Sequence, residues 1–511
     1  MTRKESLSLK AVAFASAAIG VVLASTVVHA EKSNDTLNAA FSAEIATLDY
    51  YMGSGRNNLI MSHHIYDTLL YKDQSTGEII PALATNYKYL DDTTIEFTLR
   101  EGVKFHDGSA FDADDVVYTL NKAADPDYGA VYQISVGWID RAEKLDTYKV
   151  RLYMKQPYPV ALEWLAGFLP IYPSDYYEKV GKEGMSLKPI GTGPYKLVSV
   201  DPGTRWKLTR FDQHYGGSPK GSAIKNIDIR ILPEMNTQMT ELMTGKLDFI
   251  WKFPPDQAQR LKERASAEVK NTSILRVVYI QYNAVDDSPL TDVRVRKALI
   301  HAINRQHIMD AFVGGASIVV HTPCNPVQFG CYTEVAKYDY DPAKAKQLLA
   351  EAGYADGFET KILVSQSPSS SRPVAEAILG DLAKVGITAD IEMQQYAAAR
   401  EKWISGGIPM ILMSWGSWGI GDVALFTSEF FGGGDVDKIR DDEIIQWIRA
   451  GDTSTSREER RTKYANVMKK VANNALWLPL WTYNVNYATT PDLDFTLDPD
   501  EIARLFNAKW K

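Results

Sequence analysis

The chain has 511 residues, 45% of them apolar and 23% charged, with a formal net charge of −8 and two cysteines. The acidic balance excludes the basic footprint of a nucleic-acid binder. A length well above about 300 residues calls for more than one core, and two cysteines are too few for a disulfide-built scaffold.

Residues 1–30 place Arg3, Lys4 and Lys10 ahead of an uncharged run from Ala11 to Val28 and end in Val28-His29-Ala30, the plan of a secretory leader cut after Ala30. A membrane anchor is the rival reading of that 18-residue run, but its Ala and Ser content and the processing site favour cleavage. No cysteine stands after the cut for lipid attachment. The expected mature form is a periplasmic, soluble chain of 481 residues in two or three domains.

Thr36-Leu37-Asn38-Ala39-Ala40-Phe41 reads as a strand, followed by a loop from Thr47 to Arg56 and a helix running towards Tyr71. Ile95, Phe97 and Leu99 alternate with polar residues as in a half-buried strand, and Asp107-Gly108 makes a tight turn. Asp112 is placed to cap the next helix, with Asp114 and Asp115 in its first turn. The turn Gly191-Thr192-Gly193-Pro194 fixes the exit of a strand through Val200, and Arg210-Phe211-Asp212-Gln213-His214-Tyr215 follows. Met239, Leu242 and Met243 form a helical face ended by Gly245.

A second half begins near Val277-Val278-Tyr279-Ile280. Val295, Leu299, Ala302 and Ile303 predict one helix stopping by Gly314-Gly315, and Asp341-Pro342 opens another that ends at Gly353. After Pro373 a helix runs to Gly386, then Ile387, Ala389, Ile391 and Met393 alternate as a strand. Helices and strands alternate in both halves, so each is α/β. Cys324 and Cys331, in a loop rich in Pro and Gly, are expected to form a disulfide that pins that loop. Two thiols with no paired histidines nearby make a poor zinc site.

The phrases Val103 to Gly108 with Asp115-Val116-Val117, Gly191 to Lys196, Gly245-Lys246-Leu247-Asp248, Asp292 to Leu299, Tyr340 to Ala345 and Leu348 to Tyr354 together resemble, in order, the family-5 (class C) solute-binding proteins. That group serves peptide and nickel ABC importers. The resemblance implies a two-lobe periplasmic-binding-protein clamp with an extra subdomain in the first lobe. It assigns 31–272 plus 483–511 to lobe I, about 76–189 to the inserted subdomain and 273–482 to lobe II, with hinge crossings near 272 and 482. It implies a monomer that hands a small polar ligand, a di- or oligopeptide first among them, to an inner-membrane ABC permease. An opine, an oligosaccharide or chelated nickel is the alternative cargo, and no cofactor is implied.

The matching phrases are turns, caps and amphipathic faces, so they identify scaffold and leave the ligand to the site itself. The densest site segment is Met413-Ser414-Trp415-Gly416-Ser417-Trp418-Gly419-Ile420-Gly421-Asp422. Two indoles among small residues suit a stacking wall, and Asp422 suits an orienting carboxylate; the competing reading makes both tryptophans core plugs. Peptide-binding relatives grip a free amino group with an aspartate just after the equivalent of Trp415, where this chain has Trp418. Either Asp422 takes that contact or an ordinary peptide N-terminus is not recognised. Arg372 and Arg56 are candidates for a ligand carboxylate, and Tyr50, Ser54 and Asn283 lie on loops near the expected hinge.

Catalysis is not expected, because G-x-S-x-G, H-E-x-x-H and P-loop motifs are missing and Ser222-Ala223-Ile224-Lys225 stands without its companions. His63 and His64 point to different faces of a helix, His301 and His307 are too far apart to pair, and His106 belongs to a scaffold turn. A chaperone with a roomy apolar cleft is the alternative of another class.

Overall fold

Two long, β-branched strands carry the chain between the lobes of this computed structural model, which describes residues 34–53, 55–264, 266–286, 288–366 and 371–511. The leader expected over residues 1–30 lies outside the described residues. The strands are Glu268–Tyr282 and Trp477–Thr489, antiparallel to each other at the centre of a ten-stranded sheet.

At one end Thr489 pairs with Phe249, which leads to Thr36–Phe41 and its parallel neighbour Asn226–Ile231, then to the antiparallel Arg205–Arg210 and Tyr195–Asp201. At the other end Val277 pairs with Trp415 of the strand Met410–Trp415, followed by Phe358–Ser365 and Ile387–Gln394 in parallel register. Parallel strands of this kind need covering on both faces, which is why their runs are apolar and helices alternate with them. The ladder between the two long strands shifts register between Ser273 and Val277, so Ile274, Leu275 and Arg276 bulge out where the sheet passes from one lobe to the other. The architecture is the two-lobe periplasmic-binding-protein clamp. A separate four-stranded sheet, built from residues 84–154, packs on the first lobe with the helix Ala113–Ala124 against it.

Local chemistry accounts for most element ends. Asp112 caps its helix by accepting from Asp114 N–H and, with Asp115, completes a capping box. Asp341 caps the helix opened by Pro342. The Gly191-Thr192-Gly193 turn needs its glycines for close approach: a Cβ on Gly191 would stand 2.1 Å from the Ile65 carbonyl oxygen, and one on Gly193 2.5 Å from the Ile65 carbonyl carbon. His106 sits against this turn, its ring 2.9 Å from the Gly193 carbonyl oxygen, a scaffold contact.

Two sequence expectations are corrected. The helix beginning at Arg56 stops at Ile65, and Leu70–Lys72 is a strand. The single helix expected from Val295 towards Gly314 is two, Val293–Ala302 and Arg305–Phe312. Asn304 breaks it by turning its side chain onto His307 N–H as a new N-cap.

Candidate functional site

The bulge in the first hinge strand aims Arg276 into the cleft, and loops from both lobes close around it. From the first lobe come Tyr50 of the short turn Tyr50–Met52, Arg56 and Asn58 at the start of the helix Arg56–Ile65, Tyr132, and Trp164. From the second come Tyr396, Trp415 at the end of its strand, and Trp418. Together they enclose a cavity of about 300 Å³, at the lower end of ligand pockets in general.

The roof is a contact across the cleft. Trp418 meets Tyr132 edge to face with ring centroids 4.3 Å apart, and the Tyr132 hydroxyl accepts the Gly55 N–H. Gly421 N–H, from the Trp418 loop, donates to Glu163 Oε2 at 2.8 Å, and Lys72 holds the same carboxylate from its own lobe.

The Trp418 loop is strained and braced. Ser417 and Trp418 have φ of 48° and 59°, a left-handed conformation rare for residues with side chains and concentrated at functional sites. The loop between Cys324 and Cys331, which are joined in a disulfide with Cα atoms 5.8 Å apart, holds it in place. Gln328 Nε2 donates to Ser417 Oγ and to the Ile420 carbonyl, and the Phe329 N–H donates to the Gly421 carbonyl.

Charge in the cleft is one-sided. Glu501 accepts from Arg276 at 3.0 Å and faces Arg56 and Lys252 at 3.6 Å each. Burial pushes the Glu501 carboxyl up, but Arg276, Lys252 and Arg56 overcome it and hold the group well below the usual carboxylate range. Burial lowers Lys252 to about 8, helped by Arg56 and Arg276 and opposed by Glu501. Among the described residues, no Asp or Glu lines the aromatic cavity. Arg56 Nη1 and both polar atoms of the buried Asn58 amide have no hydrogen-bond partner.

Of the residues singled out by sequence, Trp415, Trp418, Arg56 and Tyr50 meet on this cavity. Trp415 combines both of its readings, since one side packs on Phe426 and Phe430. Ser54 lies outside the described residues, between two glycines that line the cavity.

The structure does not bring the other three there. Asp422 is buried, with both carboxylate oxygens about 3 Å from Arg460 Nη2 and one of them accepting the Ala424 N–H, so it is unavailable to an ammonium. Asn283 is also buried and folds its amide onto Asp286 and the Ile408 carbonyl. Arg372 is 61% exposed and pairs with Glu376 one helical turn on.

Sequence reasoning missed Arg276, Lys252, Glu501, Tyr132, Trp164 and Tyr396. Arg276 carried one signal, a cation interrupting the apolar run from Ile274 to Tyr279. Among the described residues no three His, Cys, Asp or Glu side chains converge as a metal site, so a chelated metal would have to bring its own ligands. Nor is any helix among them long and apolar enough to cross a membrane.

Comparison with known proteins bears on the family and the fold. The family described as bacterial extracellular solute-binding proteins, family 5 Middle, matches residues 78–438. The chain is similar to heme-binding protein A of Haemophilus influenzae, with 28% identity over 84% of this chain and 83% of that protein. It is 31% identical to the dipeptide-binding protein of Escherichia coli over 69% of this chain and 70% of that protein. Among solved structures, NikA from Brucella suis in complex with Fe(III)-EDTA superposes with a TM-score of 0.84 at 23% identity, covering 93% of this chain and all of that one.

Proposed function

The chain belongs to family 5 of the bacterial extracellular solute-binding proteins, a group of transport receptors and not of enzymes, and on that premise we propose that it delivers a small acidic solute to an ABC importer from the periplasm. The solute lies between the lobes with a flat or apolar body against Trp415, Trp418 and Tyr132 and a carboxylate on Arg56 and Arg276. The observation that carries this reading is a cation-sided cavity with no carboxylate of its own on the wall.

Contacts that the solute makes with both lobes only when they meet supply the differential affinity that shifts the clamp towards the closed form a permease reads, and Tyr132 on Trp418 and Glu163 on Gly421 join the lobes in that form. A cavity of about 300 Å³ suits an N-acylated amino acid or an opine-like compound. A cavity of this size is small for an unfolded protein client, which weighs against a chaperone. The polycarboxylate chelate bound in the NikA neighbour is in keeping with an acidic cargo.

A dipeptide is the second reading, favoured by the relative named for dipeptides. It would leave the peptide ammonium only Glu501, which three cations already share, because Asp422 is committed to Arg460.

The test is thermal unfolding of the stripped protein with N-acetylphenylalanine, phenylalaninamide, the dipeptide Phe-Leu and a neutral trisaccharide, since a ligand of the folded state raises the midpoint. The expected result is a rise with N-acetylphenylalanine and none with phenylalaninamide. A rise with Phe-Leu alone would replace the acid reading with the peptide one. Sedimentation on the same sample tests the expected monomer.

A further inference from the structure

The aromatic cavity ends against Arg276, and behind Arg276 and Glu501 opens a second chamber of about 550 Å³. Lys252 and Phe253 line it from the first lobe, Phe312 from the second, and Asn484 and Asn486 from the returning hinge strand. Arg56 faces only the first cavity, Lys252 only the second, and Arg276 both.

All three cations share one carboxylate, Glu501, so one charge is met and two remain. None of the three side chains is more than 36% exposed. Charge left unmet around the two part-buried arginines is costly, Lys252 adds a further cation on the exposed rim, and a site that keeps such charge is built for a partner of opposite sign. The other acid on the chamber wall, Asp256, is 64% exposed and stands 3.8 Å from Arg260.

Backbone strain marks the same residues: Lys252 and Glu501 both have φ of 61°. The Lys252 ammonium lies 4.3 Å from the centroid of the Trp251 ring, held between that face and Glu501. Burial first, with Arg56 and Arg276 adding to it and Glu501 opposing, lowers its affinity for a proton.

We propose that the solute carries two acidic groups, one met by Arg56 and Arg276 in the aromatic cavity and the other by Lys252 in the chamber behind. The inference rests on the receptor reading above and narrows its cargo to dianions. An acid in each compartment brings the cluster to neutrality.

Calorimetry on the full stripped protein with N-acetylphenylalanine and N-succinylphenylalanine separates the possibilities. The two share an aromatic ring, an amide and an α-carboxylate, and differ by one methylene and the second carboxylate it carries. The succinyl compound is expected to bind at least about tenfold more tightly, the scale of one added buried charge contact. Lys252→Gln is expected to erase that preference and keep the affinity for the acetyl compound, while Lys252→Arg restores the preference and guards against misfolding as the cause. Equal affinities in the wild type, or a preference that survives Lys252→Gln, overturn the dianion inference and leave a single-acid receptor standing. Failure of both compounds to bind strikes the acidic-solute reading of the site on which the inference rests.

Discussion

Replacing Glu501 with Gln keeps the shape of the cleft and removes the only negative charge among three cations. Arg276 stands 3.0 Å from this carboxylate, and Arg56 and Lys252 stand 3.6 Å from it. At an effective permittivity of about 20 each such pair attracts by about 5 kcal/mol. Against this stands the desolvation of the four groups, several kcal/mol per ion, partly relieved for Lys252 by its exposure. Breaking a buried cluster from one side then costs about 3–5 kcal/mol, because the cations left behind repel one another. The assay is urea unfolding of ligand-free wild type and Glu501→Gln at neutral pH and low salt, with an unchanged slope required so that the midpoint reports stability. N-acetylphenylalanine should bind the variant more tightly than the wild type, since its carboxylate no longer shares the arginines with Glu501. A stability loss below about 1 kcal/mol, the scale of an exposed ion pair, would show that water already screens the cluster and would refute the charge argument for the site.

Trp418→Ala should weaken N-acetylphenylalanine by about 10- to 100-fold in calorimetry through loss of the ring and of its contact with Tyr132. Asp422→Asn should lower unfolding stability by about 3–5 kcal/mol, as for a broken buried pair, and leave affinity unchanged; an affinity loss without a stability loss would return Asp422 to the ligand. Removing both Cys324 and Cys331 should cost about 2–3 kcal/mol in chemical denaturation, from the entropy of a short loop. It should also weaken binding, since Gln328 then holds the Trp418 loop less firmly. With Lys252 lowered to about 8, binding of N-succinylphenylalanine should hold steady below that pH and fall by up to about tenfold per unit above it, because the complex must then take up a proton that the free protein has lost. Glu501 stays ionised across that window and Lys252→Gln should flatten the profile.

What could be read from the sequence was what neighbouring residues decide among themselves. Asp112 and Asp341 cap the helices they precede, and the alternation from Ile387 to Met393 is a strand. Asn304 shows the limit even there, because an apolar stripe continued through a residue whose side chain preferred the backbone to the helix. The site was legible where one short segment carried it, as with Trp415 and Trp418. It was not legible where charges converge from far apart: nothing near Lys252, Arg276 or Glu501 announces the other two. Asp422 failed for the same reason in reverse, since the arginine that claims its carboxylate lies 38 residues further on.

Because a ribosome delivers residues in order, Arg56, Lys252 and Arg276 all emerge before the acid that reconciles them. Without the Asp498–Arg504 stretch the cleft would hold Arg56, Lys252 and Arg276 with no carboxylate between them, so the last residues of the chain complete a site whose walls the rest of it builds.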